Sequence, residues 1–160
     1  MSFEQIPGQE RAKRMLRQNL RSGKVSHAYL FSGPAGTGRL RTALAFAQAI
    51  LCERQGDDAC GECRECRKVL HGNHPDLHRI APDGATIKID QIRDLQRQFS
   101  YRTSADQTKI YIIEQADKMT IQAANSLLKF LEEPNARIVA ILIAENGQAL
   151  LPTIQSRTQQ

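Results

Sequence analysis

His27-Ala-Tyr-Leu-Phe-Ser-Gly-Pro-Ala-Gly-Thr-Gly-Arg-Leu40 decides the fold of this chain. His27–Phe31 reads as a short apolar strand. A Gly-rich turn, Ser32–Gly38, follows at once, and then a long helix with Leu40, Leu44, Ala47 and Leu51 on one stripe. Gly33, Pro34, Gly36, Thr37 and Gly38 match the spacing of a phosphate-binding loop in its confirming context, between a strand and a helix. Such glycines let backbone N–H groups converge on phosphate oxygens, and the helix N-terminus adds partial positive charge. Two chemical positions depart from the pattern. Arg39 stands where a lysine would bridge the β- and γ-phosphates, and a planar guanidinium is not equivalent to an ammonium there. Leu40 stands where a hydroxyl would hold Mg²⁺, and its side chain has no oxygen to offer.

A second stretch departs in the same direction. Lys109–Glu114 is a buried strand by composition, and Glu114-Gln115 follows its apolar run where Asp-Glu would supply a metal-side carboxylate and a water-orienting base. Glu114 keeps a carboxylate of different length. Gln115 is a neutral amide and accepts no proton near pH 7. Together the two sites argue against hydrolysis in this chain. Nucleotide binding is a separate question, because a glycine cradle can act without the metal ligand; ATP or ADP is therefore a doubtful cofactor.

The remaining elements alternate. Gln9–Arg21 has helical spacing at Ala12, Leu16 and Leu20. Asp76–Ala81 is a weak strand. Asp90 reads as the N-cap of a helix that buries Ile92, Leu95 and Phe99. Thr120 caps a helix that buries Ala124, Leu127, Leu128 and Leu131 and that Pro134 ends. Arg137–Ala144 is a continuous apolar run suited to a parallel strand covered on both faces, and Gly147–Ile154 suggests a short last helix. Strands alternating with helices predict an α/β domain, a parallel sheet with helices on both faces.

Cys52, Cys60, Cys63 and Cys66 interrupt this pattern as C-x7-C-x2-C-x2-C. Interlocked C-x2-C steps place thiolates around one tetrahedral ion, and four thiolates leave no open position, so a structural Zn²⁺ is expected. The module spans about residues 52–66, and Glu53–Lys68 holds almost no apolar side chains, so the metal would supply its stability. Disulfides are the competing pairing, disfavoured by the expected cytoplasmic setting. His71, His74 and His78 are nearby substitute ligands, read as loop residues while four cysteines are present.

Net charge of +5 permits a polyanionic partner. Arg93, Arg97, Arg102 and Lys109 are candidates for DNA phosphates, with plain solvation as the alternative. With no Trp, three Tyr and five Phe, an aromatic platform for stacked bases is not expected. No apolar run reaches membrane-span length and no secretory leader is visible at Met1–Gln5.

Several strings together resemble bacterial clamp loaders of the AAA+ class: Phe3-x-x-Ile6-x-Gly8-Gln9, the stretch from His27 to Gly38, the four-cysteine insert, Asn125-Ser-Leu-Leu-Lys129-x-Leu-Glu-Glu-Pro134, and Leu151-Pro-Thr-Ile-x-Ser156-Arg157. The likeness spans nearly the whole chain. It implies an AAA+ domain over residues 1–160 with sheet order 5-1-4-3-2, whose fifth strand would begin just after Arg157, followed by lid and collar domains that this chain would lack. Arg39, Leu40, Glu114 and Gln115 depart from the catalytic gamma and tau pattern and point instead to the stator-type subunit. Such a subunit has gamma or tau and delta as partners, and meets the sliding clamp and primer–template DNA through the complex. Ser156-Arg157 matches the family's Ser-Arg-Cys motif, with Thr158 in place of Cys, which implies that Arg157 acts as an arginine finger in a neighbour's ATP site. The alternatives are an active gamma/tau-type ATPase that tolerates Arg39, and a zinc-dependent nucleic-acid-binding module.

Overall fold

The computed structural model describes residues 3, 10–23, 25, 27–32, 38–54, 56–100, 108–132 and 138–146. They fall into two compact units, His27–Pro34 with His78–Gln160, and Met1–Ser26 with Ala35–Leu77. Among the described residues no helix is long and apolar enough to cross a membrane.

The first unit holds the sheet. Its strands are β1 (Ala28–Ser32), β2 (Leu77–Ile80, which starts at the unit's border), β3 (Lys109–Ile113) and β4 (Ile138–Ala144), in the order β1-β4-β3-β2. β4 pairs in parallel with β1 and with β3, with Ala140 opposite both Ala28 and Tyr111. One crossover, from β1 to β2, therefore passes over two strands, while β2–β3 and β3–β4 are neighbours, as the order 1-4-3-2 expected from the resemblance requires. β3 and β4 are β-branched runs buried along nearly their whole length, so neither face of the central strands meets solvent.

One face carries the main core. Leu30, Tyr111, Ile113 and Leu142 pack with Ile92, Leu95 and Phe99 of α4 (Ile89–Ser100), and with Ala123, Leu127 and Leu131 of α5 (Ile121–Glu132). The buried face of α4 is the one the periodicity predicts; that of α5 holds Ala124, Leu127 and Leu131 as expected, with Ala123 in place of Leu128, which is half-buried. Phe99 sits at the centre, its ring 5.7 Å from Tyr111 and 6.0 Å from Phe130. Thr120 caps α5 as expected, its hydroxyl accepting from the Ala123 N–H at 3.1 Å. Asp90 does not cap α4. The helix starts at Ile89, and Gln91 Oε1 reaches back to the Lys88 N–H at 3.0 Å, half of a capping box. Asp90 lies inside the first turn, where its charge still suits the helix dipole.

The second unit holds α1 (Glu10–Ser22), α2 (Arg39–Leu51) and α3 (Arg64–Leu70). α1 covers the residues periodicity expected, with Leu16 fully buried. α2 departs from its expected stripe. Leu40, Leu44 and Leu51 are half-buried, while Thr42, Ala43, Ala45, Phe46, Ala47, Gln48 and Ala49 are buried. A helix enclosed on most sides has no single apolar stripe, and small alanines allow the close approach. α3 was not expected, because its segment lacks apolar periodicity. Cys63 is its N-cap, Glu65 is in the first turn and Arg67 and Lys68 are in the last, so its ends are matched to the dipole.

Candidate metal centre and nucleotide site

The four cysteines converge. Cys52 is the C-cap of α2, Cys63 is the N-cap of α3 and Cys66 lies one turn into α3. All four thiols are free, and their sulfurs lie within 4.8 Å of one another. Cys60 and Cys66 Sγ are 3.8 Å apart, and Cys52 and Cys63 Sγ are 3.9 Å apart. A tetrahedron with metal–sulfur bonds of about 2.3 Å has edges of about 3.8 Å, so the donor set fits such an ion. The cluster could hold a metal ion, and four thiolates would close its coordination sphere.

Backbone N–H groups prepare the sulfurs for negative charge. Those of Glu62 and Cys63 point at Cys60 Sγ from 3.4 and 3.3 Å and hold its thiol down to about 6. At Cys63 burial works against ionisation, yet the N–H groups of Cys66 and Glu53 leave the thiol below its ordinary value. Burial pushes the Cys66 thiol up to about 12. A bound cation removes that conflict, because it stabilises all the thiolates at once.

Polar contacts tie the cysteine loop to α1. Asp57 receives both Arg21 Nε and Nη2, at 2.9 and 2.6 Å. Asp58 accepts from the Phe3 N–H at 3.1 Å, the Ala59 N–H at 2.8 Å and Arg17 Nη2 at 3.3 Å. Sequence reading did not find this strap, since an Asp-Asp pair in a polar loop looks solvated. Among the described residues the clustered donor set holds the four cysteines and no histidine. His74 Nδ1 accepts from the Asp76 N–H at 3.0 Å, which leaves its proton on Nε2, facing Glu65. His78 packs its ring 5.1 Å from that of Phe99.

Of the expected nucleotide site, Gly38–Leu40 belong to one unit and Glu114 and Gln115 to the other. At one, Gly38 has φ 80° and ψ 23°, a left-handed turn that glycine takes freely, and α2 begins at Arg39. Thr42 Oγ1 donates back to the Gly38 carbonyl at 2.8 Å. Gly33, Pro34, Gly36 and Thr37 lie outside the described residues, as do Ser156, Arg157, Arg102 and Gly147–Ile154. At the other, Glu114 follows β3 and its Oε2 accepts from Arg79 Nε at 2.9 Å. Gln115 sits at φ 55° and ψ 54°, which is strained for a residue with a Cβ. Sequence reading did not find Arg79, which comes from β2, far away in the chain.

One basic candidate is corrected. Lys109 is 6% exposed, and its Nζ donates to the Phe99 carbonyl at 3.1 Å, so it cannot reach a DNA phosphate. Arg93 is exposed, and Arg97 is exposed and paired with Asp94.

Comparison with known proteins now bears on this arrangement. The family model described as DNA polymerase III, delta subunit, matches residues 8–160. The DNA polymerase III subunit delta' of Bacillus subtilis strain 168 is 49% identical over 151 residues, which cover 94% of this chain and 46% of that protein. The chain belongs to the delta-prime family of DNA polymerase III. Tau of the same organism is 39% identical, over 99% of this chain and 28% of its own length. A gamma-subunit-related protein of Thermotoga maritima superposes with a TM-score of 0.60 at 24% identity, over 91% of this chain and 43% of that one. The chain thus has an AAA+ fold, with the parallel sheet expected of it and the cysteines clustered beside α2 and α3. It spans about half the length of the curated delta-prime relatives it matches.

Proposed function

We propose that this chain is the AAA+ domain of a clamp-loader subunit that does not hydrolyse ATP and serves as a stator for its neighbours. The observation that carries this reading is the loss of chemistry at two separate positions. Leu40 offers no metal ligand and Gln115 offers no base. The Arg79 guanidinium bonded to Glu114 Oε2 adds to it, since its positive charge would compete with a magnesium ion for that carboxylate. The four cysteines hold a structural Zn²⁺ in this reading. They orient one another, exclude water from the ion and keep it out of any reaction; the ion supplies cohesion only.

Arg157 acts in trans. With Ser156 it places a guanidinium in the ATP site of an adjacent gamma or tau subunit, where positive charge stabilises the transferring phosphoryl group, an effect of roughly 10³–10⁵ in rate. The partners are gamma or tau and delta, and through them the sliding clamp and primer–template DNA. Lid and collar domains would follow residues 1–160 in the full-length subunit, and the compartment is the cytoplasm.

ATP turnover by the purified chain tests the reading, with a reconstituted loader as the second arm. The expected result is background turnover alone, and a large fall in loader ATPase when Arg157→Ala replaces the wild type. Turnover well above background by the chain alone favours the second reading, an active gamma/tau-type ATPase, which the 39% identity to tau keeps in view.

A further inference from the structure

The chain carries 22 basic and 17 acidic side chains. Five of the basic ones, Arg11, Lys13, Arg14, Arg17 and Arg21, fall within the 13 residues of α1, against a single acid, Glu10. Four of the five excess positive charges therefore sit on one helix. They are also sorted by face. Glu10, Lys13, Arg14, Arg17, Gln18 and Arg21 follow helical spacing and, with Phe3, line a groove of about 390 Å³. At 1.5 Å of rise per residue the row runs for about 16 Å. Carboxylates hold its cations in place without saturating them. Glu10 lies 3.3 Å from Lys13 Nζ, Asp58 3.3 Å from Arg17 Nη2 and Asp57 2.6 Å from Arg21 Nη2. The Arg17 guanidinium lies 5.7 Å over the Phe3 ring, and its Nε, shut off from solvent, has no hydrogen-bond partner. Arg14 is exposed and has no acidic partner among the described residues.

We propose that this groove on α1 binds the phosphodiester backbone of a single DNA strand directly, without regard to sequence. Phosphate suits these groups, because guanidinium and ammonium donors both bond its oxygens with charge assistance. An anion in the groove also offsets the cost of enclosing the under-paired Arg17 charge. Lys13 with Arg14, then Arg17, then Arg21 give one level of positive charge per helical turn of about 5.4 Å, a ladder for successive phosphates. Lys13 is 8% exposed and Arg17 is half-buried, so a ligand must enter the groove to meet them. One strand can do so; a duplex would reach only the exposed Arg14 and Arg21. Phe3 is fully buried and offers no face on which a base could stack, so the contact is electrostatic and blind to sequence. This contact is separate from the stator reading and from the meeting with DNA through partner subunits.

Fluorescence anisotropy of a labelled oligothymidylate, titrated with the purified chain over a range of salt concentrations, tests the proposal. Arg14→Gln is the informative variant, because Arg14 has no acidic partner whose loss could disturb the fold. Arg11→Gln is its control, removing the same charge from an exposed position of the same helix outside the groove. The expected result is that Arg14→Gln binds ~5-fold more weakly at about 0.1 M salt, with a slope of log K against log salt shallower by ~0.7, the share of one phosphate contact on a single strand. Arg11→Gln should keep the wild-type slope, and a strand of mixed sequence should bind as tightly as oligothymidylate. Equal losses in the two variants overturn the groove, since net charge alone would then account for binding. A duplex of the same length bound as tightly as the strand overturns the choice of occupant. So does poly-glutamate of equal charge that displaces the strand as well as unlabelled oligonucleotide does, which would make the partner an acidic protein segment. No measurable binding by the wild type at ~50 mM salt overturns the proposal outright.

Discussion

Removing the metal should unfold the cysteine module and spare the sheet. About ten residues separate Cys52 from Cys63, and ordering each costs about 1–2 kcal/mol of backbone entropy, or ~10–20 kcal/mol for the loop. Without an ion little opposes this. The Asp57–Arg21 and Asp58–Arg17 pairs are partly exposed and contribute ~0–1 kcal/mol each. The two backbone N–H groups bonded to Asp58 add ~1 kcal/mol each. The deficit of ~10 kcal/mol is comparable with the ~10–16 kcal/mol that structural zinc supplies to small thiolate sites. Hydrogen exchange followed by mass spectrometry, on zinc-loaded protein and on protein stripped under reducing conditions, measures the effect. Amides from Cys60 to Leu70 should exchange at near-unprotected rates once stripped. Those of Ile110–Ile113 and Val139–Ile143, buried in β3 and β4, should keep their protection. Unchanged protection across Cys60–Leu70 after verified metal removal would refute the claim that an ion, rather than packing and ion pairs, holds the module.

Three further outcomes follow from particular contacts. Phe99→Ala removes a ring 3% exposed among His78, Tyr111 and Phe130, and should destabilise by ~3–5 kcal/mol, lowering the Tm by roughly 10 °C in a thermal melt. Gln115→Gly relieves the left-handed backbone at φ 55° and should raise stability in urea unfolding by about 1 kcal/mol; a loss instead would mean the glutamine side chain holds the turn. Arg21 lowers the Asp57 carboxyl below its ordinary value of 3.8. The pair's stabilisation is therefore present above the unfolded value and lost as pH falls through the folded one. Both partners are over a third exposed, so Arg21→Ala should remove only a few tenths of a kcal/mol at pH 7 and nothing measurable at pH 2.

Local signals carried the reading wherever one face or one turn decided the structure. The stripe Ile92, Leu95, Phe99 identified the buried side of α4 because a surface helix has only one such side. The β-branched runs of β3 and β4 were legible because a strand buried on both faces has no room for polar residues. α2 defeated the same method, since a helix enclosed on most sides carries no stripe. α3 escaped it because its ends and its cysteines, rather than apolar periodicity, define it. The cap of α4 was misassigned by two residues because Gln91, rather than an Asp, satisfies the Lys88 N–H.

For function, residue types and their spacing in the chain were enough to set out the chemistry. Four cysteines at short intervals specify a tetrahedral donor set, and Leu40 and Gln115 stand where a hydroxyl and a carboxylate would complete the expected nucleotide-site pattern. Which groups surround those residues is a different kind of fact. Arg79 against Glu114, Asp58 against Phe3 and Arg17, and Lys109 turned inward onto Phe99 all join positions whose separation carries no period and no motif. Only the packing of one helix on another, and of one strand beside the next, brings such groups within hydrogen-bonding distance. A ligand set can be read from the chain because chemistry limits which atoms bind an ion; the shell that positions it cannot, because any buried donor of suitable reach would serve.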